Sequence, residues 1–100
     1  MTVYTVDWTA RARRRVWEFG DHVAEQSSPQ EADSLVERIF AAGDALAWSP
    51  QRYSPAPEWG EGVRRMPILG RRILFDVNEV RRVVRILTVV GGAENPRDIR

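Results

Sequence analysis

The sequence contains no cysteine and no lysine, and it has a single histidine among its 100 residues. Without cysteine, neither a disulfide framework nor a thiolate metal site is possible, and nothing indicates an oxidising compartment. No apolar run approaches the roughly 20 residues that span a bilayer, and the N-terminus lacks a signal-peptide pattern. We therefore expect a cytoplasmic protein without a membrane partner, metal or cofactor, folded as one domain over residues 1–100.

The positive charge is carried by fifteen arginines, and fourteen acidic residues bring the net charge to +1. That balance argues against a dedicated polyanion binder. The use of arginine without lysine is most simply explained by GC-rich coding. The positions of the arginines are more informative, since four lie within residues 11–15 and eight lie between Arg52 and Arg85.

Residues 3–8 combine β-branched and aromatic side chains, and Tyr4, Val6 and Trp8 alternate along the segment as in a half-buried strand. Thr9 is a suitable N-cap for the helix that follows. Apolar residues then recur at spacings of three and four, which predicts a helix to about Gln26 with one buried stripe. The stripe consists of Ala12, Val16, Phe19 and Val23.

A stronger helix start lies at Ser28, where a capping hydroxyl is followed by Pro29 at the first helical position and by Glu31, placed to close a capping box. This second helix carries a broad apolar face. It is expected to end at the Ser49-Pro50 pair, because residues before proline avoid the α region. The short link between the two helices predicts an antiparallel helical hairpin, and residues 51–62 predict an irregular loop.

Three strands are predicted at 63–68, 71–77 and 80–90, joined by tight turns at Leu69-Gly70 and at Asn78-Glu79. The chain therefore predicts an α+β fold of β-α-α-β-β-β order. In this fold a helical hairpin packs on one face of an antiparallel-rich sheet.

Side chains alternate across a strand, so one set of residues in the last hairpin faces the helices and the other set faces away. With a two-residue turn at 78–79, Arg72 and Arg85 stand side by side on the helix-free face, and Asp76 pairs with Arg81. Like charges directly opposite each other cost roughly 0.2–1 kcal/mol, so a sequence chosen for stability alone would avoid this arrangement. The helix-facing set is Ile73, Phe75, Val77, Val84 and Ile86.

Arg64 or Arg65 adds a further cation to the same face, depending on how Pro67 distorts its strand. Together with Arg72 and Arg85, it predicts a basic, aliphatic groove suited to an acidic peptide or a phosphate backbone. An ordinary solvated sheet face rich in arginine is the alternative, and the residues alone do not decide between the two.

These strands resemble the diagnostic region of the ParE/RelE toxin superfamily, and the resemblance spans nearly the whole chain. Members carry an arginine-containing strand, a strand ending in Tyr-Arg-aliphatic-aliphatic-Tyr, and a last strand that runs Ile-Leu-x-Val-aliphatic into His-Gly and a basic tail. The corresponding segments here are Val63-Arg64-Arg65-Met66, Arg71-Arg72-Ile73-Leu74-Phe75 and Ile86-Leu87-Thr88-Val89-Val90-Gly91-Gly92. The first strand, Tyr4-Thr5-Val6-Asp7-Trp8, and a helix from Ala10 also fit the family.

The chain departs from this pattern where ribonucleolytic relatives carry their acid/base groups. Arg71 and Phe75 replace tyrosines, Gly91 replaces histidine, and Ala93 and Glu94 replace a basic pair. RNA cleavage needs a base and an acid, each contributing roughly 10²- to 10⁴-fold. No catalytic residue is assigned, and the pattern favours a non-enzymatic toxin. The other titratable groups considered are His22, expected on a helix surface, Tyr4, expected as a packing residue with a wet hydroxyl, Tyr53, Glu58 and Glu61.

The resemblance implies the toxin of a type II toxin-antitoxin pair, which in the ParE branch binds DNA gyrase and stalls it on DNA. The alternatives are a RelE-like ribosome-dependent mRNA endonuclease built on Arg64, Arg72 and Arg85, and a degenerate member that only binds antitoxin. In each case the immediate partner is a cognate antitoxin whose C-terminal segment wraps the toxin, and operator DNA is met only through that antitoxin.

Tryptophan is frequent, with four residues in the chain. Trp59 lies in the predicted loop and is a candidate aromatic anchor for a partner. Trp17 and Trp48 are expected to close over the ends of the core.

Overall fold

The structure, a computed structural model, describes residues 3–96. Three short 3-10 turns, Ala45–Ala47, Pro50–Arg52 and Pro57–Trp59, lie between the second helix and the second strand. The order of elements is the predicted one, and the predicted α+β fold class is confirmed. The longer elements are β1 (Thr5–Trp8), α1 (Ala10–Gln26), α2 (Pro29–Asp44), β2 (Arg64–Ile68), β3 (Arg71–Asn78) and β4 (Val83–Gly91).

The four strands form one sheet in the order β1-β4-β3-β2. β1 runs parallel to β4, and the other two pairs are antiparallel. Both helices lie on one face, where side chains of α1, α2 and all four strands form the main core. None of the helices within residues 3–96 is long and apolar enough to cross a membrane.

Both helix starts follow the local signals in the sequence. The Thr9 hydroxyl accepts a hydrogen bond from the Ala12 N–H at 3.1 Å, and the Ser28 hydroxyl accepts one from the Glu31 N–H at 3.1 Å. The capping box is only half formed, because the Glu31 carboxylate accepts a hydrogen bond from the Ser27 hydroxyl instead.

The expectation that α2 continues to Ser49-Pro50 is wrong, since the helix ends at Asp44 and a 3-10 turn follows. The carbonyl oxygen of Ala47 accepts a hydrogen bond from the Tyr4 N–H at 2.9 Å. Bonding to β1 thus replaces another turn of helix. Ser49, which is restricted by the proline after it, takes a left-handed conformation with φ 51°.

β1 is held on α2 by a close contact between Trp8 and Gly43. A Cβ atom at Gly43 would lie 2.1 Å from Trp8 Cζ2, so only glycine fits here. The Trp8 Nε1–H donates to Asp44 Oδ1 at 2.9 Å, and the indole meets the Phe40 ring edge-on with centroids 4.9 Å apart. These contacts fix β1 relative to the helical layer.

The predicted two-residue turn at Asn78-Glu79 is wrong. Asn78 pairs with Val83, which leaves a four-residue loop at 79–82. The loop is favoured by the Asn78 side chain, whose Oδ1 accepts a hydrogen bond from the Arg81 N–H at 3.0 Å. Arg82 completes the loop with a left-handed φ of 57°.

A β-bulge shifts the pairing of β3 and β4 once more, between Leu74 and Phe75. Arg72 therefore pairs with Val90, and the predicted pairing of Arg72 with Arg85 is wrong. Asp76 pairs with Arg85 and not with Arg81. Val77 pairs with Val84, four residues beyond the predicted partner. Beyond the bulge the shift is four residues, an even number that keeps the same face inward, and the bulge itself accounts for the fifth residue of shift before it. The helix-facing set is therefore as predicted.

The expectation that Trp17 and Trp48 close over the core is also wrong, since they are 56% and 51% exposed. Val16 occupies the buried stripe of α1, so its neighbour Trp17 lies on the flank, 5.9 Å from the Phe40 ring. Trp48 directly follows the 3-10 turn Ala45–Ala47, and its own backbone is extended.

Candidate partner-binding face

The helix-free face of the sheet is partly covered by the segment before β2. Pro55 forms an isolated bridge with Arg64. The Ala56 N–H donates to the Val63 carbonyl oxygen at 2.8 Å. We call residues 56–63 the cover. It buries a small apolar cluster of Ala56, Val63, Leu74 and Val90, with Trp59 and Leu87 packed against it.

Trp59, the predicted aromatic anchor, is half-buried in the cover and packs on Arg72. The Arg72 guanidinium carbon lies 5.7 Å from the centre of the Trp59 ring, within range of a cation–π interaction. Nη2 of Arg72 also donates to the carbonyl oxygens of Gly91, at 3.2 Å, and of Glu94. Arg72 is therefore held between the cover and the segment that follows β4.

Arg64 and Arg65 lie on opposite faces of β2. Arg64 pairs with the core residue Phe75 and so belongs to the helix side, whereas Arg65 belongs to the helix-free face. Nη1 of Arg64 donates to the Tyr53 carbonyl oxygen at 2.6 Å. Arg65 forms an exposed ion pair with Glu58 of the cover at 3.8 Å, and such pairs contribute about 0–1 kcal/mol.

Arg85 lies toward the other end of the helix-free face, where its Nη2 donates to Asp76 Oδ2 at 3.3 Å. Arg72 is four residues from Asp76 along β3, about 13 Å at roughly 3.3 Å per residue. The four predicted arginines therefore do not form one continuous groove. Carboxylates outnumber arginines around Arg85, in a basin lined by Asp7, Glu61, Asp76, Glu79, Arg81 and Arg85.

A cleft of about 610 Å³ separates the cover from the sheet and from Arg11 of α1. Leu74, Leu87 and Thr88 form part of its lining. Thr88 is 6% exposed, and its hydroxyl has no hydrogen-bond partner within residues 3–96. The Nε–H groups of Trp59 and Arg72 are also buried and unpartnered in that part of the chain.

A buried polar group without a partner costs about 1–3 kcal/mol, so a hydrogen-bonding group that reached these atoms would stabilise the helix-free face. Neither Thr88 nor Arg11 was identified from the sequence as part of a site. The one available signal was a threonine within the apolar run of β4. The sequence around Arg11 contains no signal of a site, because the position of Arg11 depends on how α1 crosses the sheet.

The groups considered for proton transfer are scattered over the molecule. His22 is exposed on α1, as expected, and Tyr53 is half-buried against the main core. The Glu94 carboxylate is bound by Arg15 and by the Gly91 N–H, the latter at 2.8 Å. Within the described chain, no three His, Asp or Glu side chains are grouped to hold a metal ion.

Tyr4 packs in the core as expected, but its hydroxyl is bonded to protein groups. It donates to Glu79 Oε2 at 2.8 Å and accepts hydrogen bonds from Arg82 Nη1, at 3.0 Å, and from Gln51 Nε2. The hydrogen bonds from Tyr4 and Gln51 stabilise the ionised form of Glu79 and hold the pKa of that carboxyl below its usual value. This network ties the 79–82 loop to β1.

A family model for the ParE toxin of type II toxin-antitoxin systems, parDE, matches residues 6–96. No curated protein matches the chain significantly. Among solved structures, the chromosomal ParDE toxin-antitoxin system from P. aeruginosa matches with a TM-score of 0.78 and 19% identity, over 91% of this chain and 98% of that one. The RelBE2 toxin-antitoxin complex from Mycobacterium tuberculosis gives 0.60 and 24%, over 89% and 98%. A mutant E. coli toxin RelE in the free state gives 0.60 and 16%, over 98% and 99%.

At these identities the solved structures establish the fold, which is the helical hairpin on a four-stranded sheet described above. The family model goes further, because its match runs from β1 through both helices to the segment after β4. The chain therefore belongs to the ParE toxin family of type II toxin-antitoxin systems.

Proposed function

We propose that this protein inhibits DNA gyrase by binding it, and that a cognate antitoxin neutralises it in the cytoplasm by occupying the helix-free face. Membership in the ParE toxin family is the reason to expect both gyrase inhibition and an antitoxin partner. The antitoxin site is inferred from the cleft, where the Thr88 hydroxyl has no hydrogen-bond partner among residues 3–96. An antitoxin segment would place an apolar side chain against the partly exposed Leu87 and a hydrogen-bonding group at Thr88. Operator DNA is then contacted only through the antitoxin.

The arrangement of the arginines supports inhibition by binding over RNA cleavage. A guanidinium stabilises phosphate charge, but it stays protonated and transfers no proton. Arg72 is engaged with two carbonyl oxygens and Arg85 with Asp76. His22 lies on α1, away from both. These positions favour a toxin that acts by forming a complex with its target.

Thr88→Val tests the antitoxin site with little change of shape. Valine removes a buried, unpaired hydroxyl, so the free chain should unfold at the same or a higher temperature. Affinity for the antitoxin encoded by the adjacent reading frame should fall about fivefold to tenfold, because one hydrogen bond worth about 1 kcal/mol is lost. Thr5→Val on the exposed side of β1 is the matched control, and titration calorimetry is the measurement. Wild-type affinity for Thr88→Val would exclude the cleft as the antitoxin site.

Arg72→Glu should also weaken the complex, because it removes the cation under Trp59 and introduces repulsion toward acidic antitoxin side chains. Arg65→Glu, on the same face but in an exposed pair with Glu58, should have a smaller effect. High salt should reduce both differences if the contacts are exposed. Equal affinity of Arg72→Glu and wild type would remove Arg72 from the interface.

The cellular target is tested by inducing the protein without its antitoxin. We expect growth arrest, loss of supercoiling activity when purified gyrase meets the purified toxin, and intact transcripts. Codon-specific, translation-dependent mRNA cuts with unaffected gyrase would instead assign a RelE-like endonuclease. If the protein affects neither gyrase supercoiling nor mRNA but still binds antitoxin, it is a family member that has lost its toxicity.

A further inference from the structure

Several exposed apolar side chains lie at the end of the sheet where β1 and β4 begin and β3 ends. Val3 is 48% exposed, Trp48 is 51% exposed and Val80 is 95% exposed. The hydrogen bond from the Tyr4 N–H to the Ala47 carbonyl oxygen brings the neighbouring residues Val3 and Trp48 to the same edge. Val80 lies in the 79–82 loop. We call Val3, Trp48 and Val80 the apolar end.

A network of side-chain hydrogen bonds connects the segments that carry the apolar end. Glu79, next to Val80, accepts hydrogen bonds from the Tyr4 hydroxyl at 2.8 Å and from Gln51 Nε2 at 2.7 Å. Gln51 belongs to the turn that follows Trp48. The network therefore connects the segments that carry Val80 and Trp48. A surface fixed before binding loses less entropy when a partner binds.

The backbone of this end adopts two conformations that non-glycine residues rarely take. Ser49, directly after Trp48, has φ 51°, and Arg82, in the loop of Val80, has φ 57°. Such residues cluster at functional sites, where the surrounding structure holds them in place. Here they stand close in sequence to two side chains that are 51% and 95% exposed, those of Trp48 and Val80.

Arginines surround the apolar end. Arg52 and Arg81 make no ion pair within residues 3–96, whereas Arg82 donates a hydrogen bond to the Tyr4 hydroxyl and lies 4.0 Å from the Glu79 carboxylate. The Glu79 carboxylate is already bound by the network, so positive charge is left for a partner. Tryptophan and arginine are also the residue types most enriched among those that dominate protein–protein binding energy.

We propose that the apolar end binds the protein on which the toxin acts, through a segment that presents an apolar side chain next to carboxylates. This inference rests on the proposed toxin function and adds a target surface separate from the antitoxin cleft. Val80 and Trp48 supply the apolar contacts. Arg52 and Arg81 supply the charge that complements the acidic groups.

The experiment uses the full chain with Trp48→Ala and Val80→Asp. Both side chains are at least half exposed, so the unfolding temperature should stay near that of wild type. Inhibition of purified gyrase, and the expression level needed to arrest growth, should each weaken at least tenfold, whereas affinity for the adjacent-frame antitoxin should not change. The matched controls are Trp17→Ala, for an equally exposed tryptophan on α1, and Leu69→Asp, for an exposed apolar residue at the opposite end of the sheet.

The outcomes separate this inference from the proposed function. Variants as toxic as wild type would overturn the inference alone, and so would loss of antitoxin affinity or a change of oligomeric state in Trp48→Ala or Val80→Asp. A wild type that arrests growth without affecting gyrase would overturn gyrase as the target. The growth assay on the variants would then still show whether the apolar end is needed for toxicity. A wild type that neither arrests growth nor affects gyrase would overturn both.

Discussion

Gly43→Ala is the most direct test of how β1 is held against the helices. A Cβ atom at this position would lie 2.1 Å from Trp8 Cζ2, 2.6 Å from Trp8 Cη2 and 3.0 Å from Ile86 Cδ1. Carbon atoms in contact normally stay about 3.5–4.0 Å apart. The indole must therefore move by about 1 Å or more to admit one methyl group.

Two opposing effects decide the result. Alanine favours a helix over glycine by about 1 kcal/mol. Against this, overpacking costs about 1–3 kcal/mol, and a displaced indole loses its hydrogen bond to the Asp44 carboxylate, worth about 1.5–3 kcal/mol. The balance is a destabilisation of about 3 kcal/mol. For a domain of this size each kcal/mol lowers the unfolding temperature by about 4–8 °C, so a fall of roughly 15 °C is expected.

Thermal unfolding followed by circular dichroism measures the effect, and Trp8→Phe supplies the control. Phenylalanine lacks the outer ring that the new methyl group meets. In that background Gly43→Ala should therefore cost little or stabilise the protein, and the double-mutant cycle isolates the contact. A Gly43→Ala protein that unfolds at or above the wild-type temperature would refute the reasoning.

Three further predictions concern single interactions. Ser28→Ala removes the N-cap of α2 and should destabilise the protein by about 1 kcal/mol in urea titration. Because the Tyr4 hydrogen bond holds the pKa of Glu79 below its usual value, the resulting stability is present above the unfolded pKa and is lost as the pH falls through the folded one. Glu79→Gln should therefore flatten the acid limb of the melting temperature plotted against pH. Asp76→Asn breaks an exposed pair with Arg85 and should change stability by less than about 1 kcal/mol, less still in high salt.

Helix starts and the order of elements were predictable because their causes lie close together in sequence. Thr9 and Ser28 cap helices whose N–H groups are only three residues away. The alternation that turns Ile73 and Phe75 inward is also local. The helix-facing side of the last hairpin was therefore right even though the register was wrong.

The register depended on contacts that no short window contains. A two-residue turn at 78–79 and the observed loop at 79–82 are both compatible with the asparagine at its start. The bulge leaves Leu87 of β4 without a partner on β3, between the partners of Leu74 and Phe75. Because the positions of Arg72 and Arg85 depend on both features, the predicted basic groove could not be placed correctly from sequence.

The cover shows that composition can predict irregular backbone without predicting its contacts. Proline, glycine and tryptophan in residues 51–62 correctly signalled irregular backbone, but composition does not show that Trp59 folds back onto Arg72. The exposure of Trp17 and Trp48 was missed for a related reason. General preference places tryptophan at least partly inside, but Trp17 and Trp48 are more than half exposed here, and our proposal gives a partner outside the chain to Trp48 alone.

The strand order β1-β4-β3-β2 has a consequence for synthesis. β4, the last of these four strands to be synthesised, lies between β1 and β3, so β1 has no neighbour in the sheet until its partner residues 83–86 have been made. Pairing over such sequence distances is slow compared with local contacts. A chain that stops before β4 lacks the strand that joins β1 to β3, and β1 then has no place in the sheet.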